Sequence, residues 1–430
     1  MTAALIAALS LLVLGLPVAL ALDRRAAGPL LLGTAFLYGS GLIFLVLMLL
    51  SIVHVRWTVV TVTIVGLLGC SVAWLLSRLT PRQPSNQATQ QPRFHWLDLA
   101  TLVTMAGYAL YATIAPLWEW DFWAIWGMKA RVFLDAGGID WRFLESRWNS
   151  YVHPDYPLLV PLNFDFVALL QGGWSDRWLG IFSVAWAVAL LLIVRDLAGR
   201  EASPIPAALA TLVIAPIAAS RFIGIAEGPL IAFGGAAVLF LRRAMLFDDR
   251  AAWRHGAVLL GLAASVKNEG IALIVSVAIA MLFVRRRDLV RLWPAVAIIA
   301  PWMILRVTHD LPTDIASGPI FGRVLVRVPH AGEIAGILTR TLFHPFFWAA
   351  LLLGFLIVPA ARRRELFVLL VTAIQLSFYL ATYFATPNDP RWHIATSWSR
   401  LTEQLAVPIT FVVVLMLART AAGPPETEAS

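Results

Sequence analysis

Long apolar runs separated by short polar connections dominate the chain. An apolar helix of about 20 residues spans the hydrocarbon core of a bilayer. The runs therefore predict an all-α polytopic membrane protein with about 13 transmembrane helices. We expect these helices near residues 3–22, 29–52, 57–77, 98–117, 177–194, 204–220, 227–243, 254–267, 270–285, 290–306, 343–360, 366–385 and 401–418.

One apolar run, at 157–170, is too short to span the membrane. It falls below the ~20 residues that a spanning helix needs, and it contains Asn163 and Asp165. We interpret it as a re-entrant or interfacial helix that returns to the face from which it started. Pro157 is expected as its first helical residue, because proline is favoured at that position.

Composition and charge support the same class of protein. Hydrophobic residues make up 60% of the chain, more than a soluble domain of this length could bury. The net charge of +8 comes mainly from arginines in short connections, at 242–243, 285–287 and 362–364. Such clusters mark the cytoplasmic side of a membrane protein. They do not indicate nucleic-acid binding.

This orientation divides the chain into three parts. Residues 1–97 comprise three added N-terminal transmembrane helices and a polar cytoplasmic linker. Residues 98–420 form the transmembrane module with the candidate chemistry, and 421–430 form a cytoplasmic tail. The polar connections with candidate residues then all lie on the outer face. We expect an integral, multi-pass protein of the cytoplasmic (inner) membrane with a site that faces outward.

Several kinds of chemistry are excluded by the sequence itself. The single cysteine, Cys70, excludes an intrachain disulfide and a cysteine-based metal site. The sequence contains no Walker loop, no dinucleotide-binding glycine motif and no nucleophile elbow. An enzyme built on this chain would therefore use an activated lipid from the membrane rather than a nucleotide.

The stretch WEWDFWAIWGMKAR, at 118–131, directly follows the fourth predicted span. It places Glu119 and Asp121 where a helix leaves the bilayer, with Lys129 downstream. Asp121 can cap the helix that follows by accepting from its free N–H groups. Alternatively, it can act as a general base just above the lipid surface. Both interpretations stay open.

A helix over this stretch would have one aromatic face. Trp123, Trp126, Ala130 and Phe133 share that face at helical spacing. We predict that the face rests in the membrane interface, where tryptophan is favoured. Lys129 would then turn toward water.

The motif HPDYPL, at 153–158, contains a second group of candidates. His153 and Asp155 could be metal ligands, but the spacing fixes no third ligand. A divalent metal therefore stays possible, and no ligand set is assigned. The alternative is a rigid connector, because two prolines restrict the backbone here.

Arg221 and Glu227 flank a short turn on the outer face. Glu227 opens an apolar helix, where its anionic form is stabilised by the helix dipole. One interpretation is that Glu227 caps the helix and pairs with Arg221. The other is that it holds a substrate hydroxyl group or a cation.

Two basic residues are candidates for binding a phosphate. Lys267 lies in the turn KNEG between two short apolar runs. It either belongs to a solvated hairpin or faces a cavity, where it could neutralise a lipid phosphate. Arg400 is predicted at the start of the last helix, where a cation needs a nearby anion. That anion is either Glu403 or a phosphate bound by Arg400 and the helix N–H groups.

Together and in this order, the motifs resemble the GT-C superfamily of membrane glycosyltransferases. The subgroup that looks closest contains the protein O-mannosyltransferases and the lipid A aminoarabinose transferase. The similarity runs from about residue 101 to 417. It rests on Asp121 in WDFWAIWGMKARV, on DYPLLVPL at 155–162, on Glu227 in AEGPL, on Lys267 in VKNEG and on Arg400 in SWSRLTEQLAVP.

The resemblance implies a GT-C-like fold with interfacial helices in the first large outer loop. The donor would be a polyprenyl-phosphate-linked sugar, the acceptor a glycan, lipid or protein, and the transfer inverting. Asp121 would be the catalytic base, and Arg400 and Lys267 would bind the donor phosphate. Contacts to the sugar or acceptor are expected from Glu227, Glu119, His153, Asp155, Tyr156, Lys129 and Arg221.

Departures from the family leave alternatives open. The candidate loop follows the fourth predicted span and not the first, and no large C-terminal periplasmic domain is expected. A membrane transporter or lipid flippase without transferase activity is one alternative. It would need a polar path through the bilayer, often built from inverted repeats, and we find no internal repeat. Transfer of a non-sugar group from a lipid carrier is another.

Overall fold

The computed structural model describes residues 1–79, 94–311, 313, 318–341, 347–350, 353 and 363–421. Within these ranges no residue lies in a β-strand. The α-helices, in chain order, are α1 (Thr2–Leu22), α2 (Gly28–Ile52), α3 (Val59–Leu79), α4 (Trp96–Ile114), α5 (Gly127–Ala136), α6 (Trp141–Glu145), α7 (Leu159–Gln171), α8 (Gly180–Gly199), α9 (Pro204–Ala218), α10 (Glu227–Phe247), α11 (Arg250–Ala264), α12 (Asn268–Val284), α13 (Trp293–Thr308), α14 (Ile320–Arg327), α15 (Ala331–Arg340), α16 (Leu366–Ala385) and α17 (Pro390–Ala421). A π-helix (Phe122–Trp126) precedes α5, and 3₁₀ helices cover Arg147–Val152, Arg286–Leu292 and Val328–His330.

Eight helices of the described part are long and apolar enough to cross a membrane. They are α1, α2, α4, α8, α10, α13 with the 3₁₀ helix before it, α16 and α17. Four others, α3, α7, α9 and α12, have shorter apolar stretches. The helices are thus those of an α-helical, polytopic membrane protein. The count of about 13 spans stays a prediction, and the expected span at 343–360 falls largely outside the described residues.

The two N-terminal helices form a tightly packed antiparallel pair. Small residues make the contact: a β-carbon at Gly39 would lie 1.8 Å from the carbonyl oxygen of Leu11, so only glycine fits. α2 in turn packs against α7 and α8. The predicted N-terminal part, 1–97, therefore contacts the predicted transmembrane module directly.

The short apolar run forms α7, which begins at Leu159 and not at the expected Pro157. Its residues 159–168 are buried, and it packs against α1, α2 and α5. The Asn163 side chain is anchored, because Ser40 Oγ donates to its Oδ1 at 2.9 Å and its Nδ2 donates to the carbonyl oxygen of Leu159 at 2.8 Å. α7 therefore enters the helix bundle instead of resting on its surface.

Charged residues collect at the two ends of the helix bundle. Within α10, Glu227 and Arg242 lie about 22 Å apart along the helix axis, and α17 likewise carries Arg400 in its first half and Arg419 near its last residue. We call the end with Asp121, Glu227 and Arg400 the Asp121 end, and the end with Arg242 and Arg419 the Arg242 end. The two long helices thus connect two separate charged clusters.

At the Arg242 end, the guanidinium group of Arg242 is bonded on every side. Its Nε and Nη2 donate to the two carboxylate oxygens of Glu365 at 2.6 Å each. Its Nη1 donates to the two oxygens of Glu201 at 2.8 and 2.9 Å. The three side chains are only 1–2% exposed, and Arg419 Nη2 adds a contact of 3.2 Å to Glu201. This cluster links α10 and α17 to the residues just before α9 and α16.

Candidate functional site

Asp121 lies directly before the π-helix and pairs with a distant arginine. Its backbone is already helical (φ −62°, ψ −29°), and its side chain makes no capping hydrogen bond. Instead, Arg400 Nη1 donates to Asp121 Oδ2 at 2.5 Å across 279 residues of sequence. The capping interpretation of Asp121 is therefore wrong, because this carboxylate is directed at α17 and not at its own helix.

Arg400 lies inside a long helix and not at a helix start. α17 begins at Pro390 and is 32 residues long. The N–H groups around Arg400 therefore bond within the helix, so the alternative in which they help to bind a phosphate is wrong. Arg400 instead pairs with two carboxylates: Asp121, and Glu227, whose Oε1 lies 3.6 Å from Arg400 Nε. Its predicted partner Glu403 accepts a hydrogen bond from Ser220 Oγ at 3.1 Å.

Glu227 is the central anion of the cluster. It is fully buried at the first turn of α10, and its Oε1 accepts from Lys267 Nζ at 3.0 Å. Its Oε2 has no hydrogen-bond partner in the described part of the chain. The predicted pair with Arg221 is wrong: Arg221 is exposed, and its guanidinium lies over the ring of Phe222 at 4.7 Å.

Lys267 is buried just before α12, so the solvated-hairpin interpretation is wrong. Its Nζ lies 3.0 Å from carboxylate oxygens of both Glu227 and Glu269. Burial lowers the pKa of Lys267, but these carboxylates outweigh that effect and raise it above its ordinary value. The turn can pack closely because position 270 is glycine: a β-carbon there would lie 2.0 Å from the carbonyl oxygen of Ala263.

Lys129 does not turn toward water, as predicted, but is fully buried. Its Nζ donates to the carbonyl oxygen of His153 at 2.6 Å. It also lies 5.7 and 5.8 Å from the ring centres of Trp126 and Tyr156, within the range of a cation–π contact. Lys129 therefore fixes the loop before α7 to the segment that follows Asp121.

The aromatic face predicted for the membrane interface is mostly internal. Trp126, Ala130 and Phe133 are fully buried in the protein core, and only Trp123 of this set is exposed. The cause is packing of this segment against α7, which the helical spacing alone does not reveal.

The HPDYPL motif borders the same cluster. The ring of Tyr156 stacks on that of His153 and lies 5.8 Å from Lys267 Nζ. Asp155 Oδ2 accepts from Asn268 Nδ2 at 2.8 Å and lies 3.4 Å from Arg306 Nη2. Within the described ranges, no three His, Cys, Asp or Glu side chains are placed to hold a metal ion.

Glu119 lies beside the pair of Asp121 and Arg400 and is partly buried. Burial raises the pKa of its carboxyl, with a further increase from Asp121, although Arg400 and Arg221 act in the opposite direction. The tryptophans on either side of it, Trp118 and Trp120, are exposed. The acidic rim of the site therefore lies next to an exposed aromatic surface.

The structure also brings in residues that the sequence did not single out. Glu269 pairs with Lys267, while Asn268 and Arg306 contact Asp155. Glu269 and Asn268 could have been found, because they belong to the same polar turn as Lys267. Arg306 gives no local signal, since only the fold brings the end of α13 close to Asp155.

A comparison of the chain with known protein families, curated proteins and solved structures finds no match. The chemistry of the site therefore has to be argued from its own residues. Charges alternate from Asp121 to Arg400, Glu227, Lys267 and Glu269. The arrangement can hold an anionic group at either cation, next to a carboxylate that can accept a proton.

Proposed function

We propose that this protein is a GT-C-like membrane glycosyltransferase. It transfers a sugar from a polyprenyl-phosphate donor to a glycan, lipid or protein acceptor at the Asp121 end, which faces outward from the inner membrane. Support comes from the order of the motifs along the chain and from the eight candidate membrane spans. Neither cytoplasmic nucleotide binding nor a nucleic-acid partner is part of this proposal.

The observation that carries the proposal is the contact between Asp121 and Arg400. In the resemblance, Asp121 removes the proton of the acceptor and Arg400 binds the phosphate of the donor. Both must lie within a few ångströms of the anomeric carbon, because the acceptor oxygen attacks that carbon as the phosphate leaves. A base and a phosphate ligand that start 279 residues apart and meet in the fold satisfy this requirement.

The reaction is a single displacement. The acceptor oxygen forms a bond to the anomeric carbon while the bond from that carbon to the phosphate oxygen breaks. Asp121 takes the acceptor proton, and the leaving polyprenyl phosphate keeps the electron pair. Arg400 and Lys267 stabilise the negative charge that develops on the phosphate, and low exposure to water strengthens this effect.

The ion pair between Asp121 and Arg400 represents the site before the donor binds. An incoming phosphate competes with Asp121 for the guanidinium group, because both are anions. When the phosphate takes Arg400, the Asp121 carboxylate becomes free to accept a proton. Glu227, between Arg400 and Lys267, keeps the two cations together during this exchange.

The other predicted residues have supporting roles in this proposal. Glu119, Tyr156 and Arg221 lie around the cluster and are the candidates for contacts to the sugar or acceptor. Lys129 and Asp155 are bonded to protein groups, so they position the loop before α7. His153 joins them through its stacking on Tyr156.

Binding of polyprenyl phosphate to the purified protein tests the proposal. Wild type is compared with Arg400→Gln and Lys267→Gln, after thermal unfolding has shown that each variant is folded. We expect saturable binding that weakens about tenfold to a hundredfold in each variant, since a hydrogen bond to a charged group contributes about 1.5–3 kcal/mol. Arg391→Gln is the matched control, because Arg391 belongs to the same helix but is exposed and pairs with Glu333.

Two results would overturn the proposal. One is the absence of saturable binding to the wild type. The other is an equal loss of affinity in Arg391→Gln and Arg400→Gln. Binding of the lipid phosphate would then depend on the total positive charge of α17 and not on a specific contact with Arg400. Either result would favour a transporter or lipid flippase.

A further inference from the structure

The short helix α14 is fixed to the end of α16 by two arginines. Arg323 Nε donates to the carbonyl oxygen of Ala385 at 2.7 Å. Arg327 donates to several carbonyl oxygens, including that of Tyr383 at 3.3 Å and that of Asn388 at 2.9 Å. The last carbonyl groups of a helix have no partner within it and need such donors. The position of α14 is therefore defined by the end of α16.

The opposite face of α14 is apolar and uncovered in the described part of the chain. Phe321 and Leu325 of α14 and Val328, the first residue of the 3₁₀ helix that follows, lie at i, i+4 and i+7, which places them on one side of the helix. They are 75%, 56% and 54% exposed. No acidic residue occurs in α14, and both of its arginines are used on the other face.

The end of α16 indicates how deep in the membrane this apolar face lies. α16 is a candidate membrane span, and apolar side chains such as Phe378 are exposed along it. Its last residue, Ala385, therefore lies near the level where lipid headgroups meet acyl chains. A helix tied to these carbonyl groups, with an apolar face pointing away from the protein, has the geometry of a helix that lies in the membrane plane.

We propose that α14 is an interfacial helix and that Phe321, Leu325 and Val328 insert into the acyl-chain boundary of the bilayer. The proposal does not depend on the enzymatic one. It does have a consequence for the candidate site, because Arg327 bonds the turn before α17 and Glu333 of α15 pairs with Arg391. Contact of α14 with lipid thus helps to fix the position of the beginning of α17, the helix that carries Arg400.

Spin labelling at single cysteines tests this proposal, because the chain has only one native cysteine. In a Cys70→Ser background, nitroxide labels are placed by Phe321→Cys and, in a separate protein, by Leu325→Cys. The full-length protein is reconstituted in phosphatidylethanolamine and phosphatidylglycerol vesicles. Collisions with oxygen, which partitions into lipid, are compared with collisions with a water-soluble nickel chelate. Val103→Cys on the exposed face of α4 is the lipid reference, and Arg142→Cys, at an exposed position of α6, is the water reference.

We expect a ratio of oxygen to nickel collisions that is severalfold higher at 321 and 325 than at 142, and close to that at 103. A ratio like that at 142 at both positions would overturn the proposal, because the face would then be in water. Immobile labels that neither reagent reaches would also overturn it, since another part of the chain would then cover α14. Labelling two positions guards against a single variant that fails to fold.

Discussion

The two ends of α10 and α17 carry buried charge clusters of opposite character. At the Arg242 end, Arg242, Glu201 and Glu365 leave no buried side-chain nitrogen or oxygen without a hydrogen bond. At the Asp121 end, Glu227 is just as buried, yet its Oε2 has no partner among the described residues. The Nε of Arg400 is 3.6 Å from Glu227, too far for a hydrogen bond. The central ion pairs of the Arg242 end are thus saturated, although Arg419 Nη1 beside them is not, whereas the central anion of the Asp121 end has an oxygen without a partner among the described residues.

This difference indicates a structural role for the Arg242 cluster and supports the proposal that a ligand binds at the Asp121 end. A buried polar atom without a partner costs about 1–3 kcal/mol, so a protein keeps one only where another group can bind to it or where the cost is offset elsewhere. At the Arg242 end, the central side chains Arg242, Glu201 and Glu365 already bond one another through all their buried nitrogens and oxygens. At the Asp121 end a ligand can add hydrogen bonds, and the partly exposed Asp121 and Arg400 give it a route in.

The largest effect on stability is expected from Arg242→Met. This change leaves Glu201 and Glu365 buried without their main cation, and removing one partner of a buried pair costs about 3–5 kcal/mol. Chemical unfolding in detergent micelles measures the loss. Arg243→Met is the control: Arg243 lies 3.0 Å from the partly exposed Asp249 and 4.0 Å from Glu201, so this variant should lose less. Equal losses in the two variants would show that Arg242 has no special role at this end.

Asp121→Asn should affect activity and leave the fold unchanged. Asparagine keeps the shape of the side chain and can still accept from Arg400, but it cannot take a proton. We expect a loss of sugar transfer of about 10²–10⁴-fold, the usual contribution of a general base, with little change in unfolding temperature. Transfer from a labelled polyprenyl-phosphate sugar is the measurement. Full activity in the folded variant would remove Asp121 from the reaction.

Lys129→Met tests whether Lys129 stabilises the fold next to the Asp121 end, as Arg242 is expected to do at the Arg242 end. The change removes the hydrogen bond to the carbonyl oxygen of His153 and leaves that oxygen without this donor. We expect a loss of about 1–3 kcal/mol in the free energy of unfolding. Arg131→Met, at an exposed position on the same helix, should change it by less than about 0.5 kcal/mol. A small effect in both variants would mean that Lys129 is not a structural residue.

The smallest effect is expected from Glu119→Gln and depends on pH. Burial raises the pKa of Glu119 above its unfolded value. The stability that this group contributes is therefore present at low pH and is lost as pH rises through the raised pKa. Glu119→Gln should unfold like the wild type below about pH 4 and at a slightly higher temperature at pH 7. If the unfolding temperatures of wild type and Glu119→Gln differ by the same amount from acid to neutral pH, the carboxyl of Glu119 is fully hydrated and the pKa shift is absent.

Hydropathy predicts the bounds of a helix closely where the whole helix is apolar. The run at 366–385 matches α16, and the run at 29–52 is close to α2. It failed at α17, which continues through the polar residues 390–400 before the apolar run begins. A hydropathy pattern marks where the bilayer begins and not where a helix begins, so it predicts a helix start at Arg400 although α17 begins ten residues earlier, at Pro390.

The candidate residues could be identified from the sequence, but their partners could not. Spacing along the chain offers Arg221 as one possible partner for Glu227 and Glu403 as one possible partner for Arg400. In the fold, Glu227 is bonded by cations from α17 and from the turn before α12. Local spacing contains no information about such contacts. The burial of Lys129 was missed for a related reason, since a helical face does not reveal what packs against it.

The π-helix between Asp121 and α5 takes up one residue more than an α-helical turn would. If residues 122–126 became α-helical at the same chain length, Asp121 would rotate by about 100° relative to α5. Every residue of the charge cluster would still be present, yet Asp121 would no longer point at Arg400. Deleting one residue from the same segment would compensate for that rotation, so the direction of Asp121 depends on helix type and chain length together.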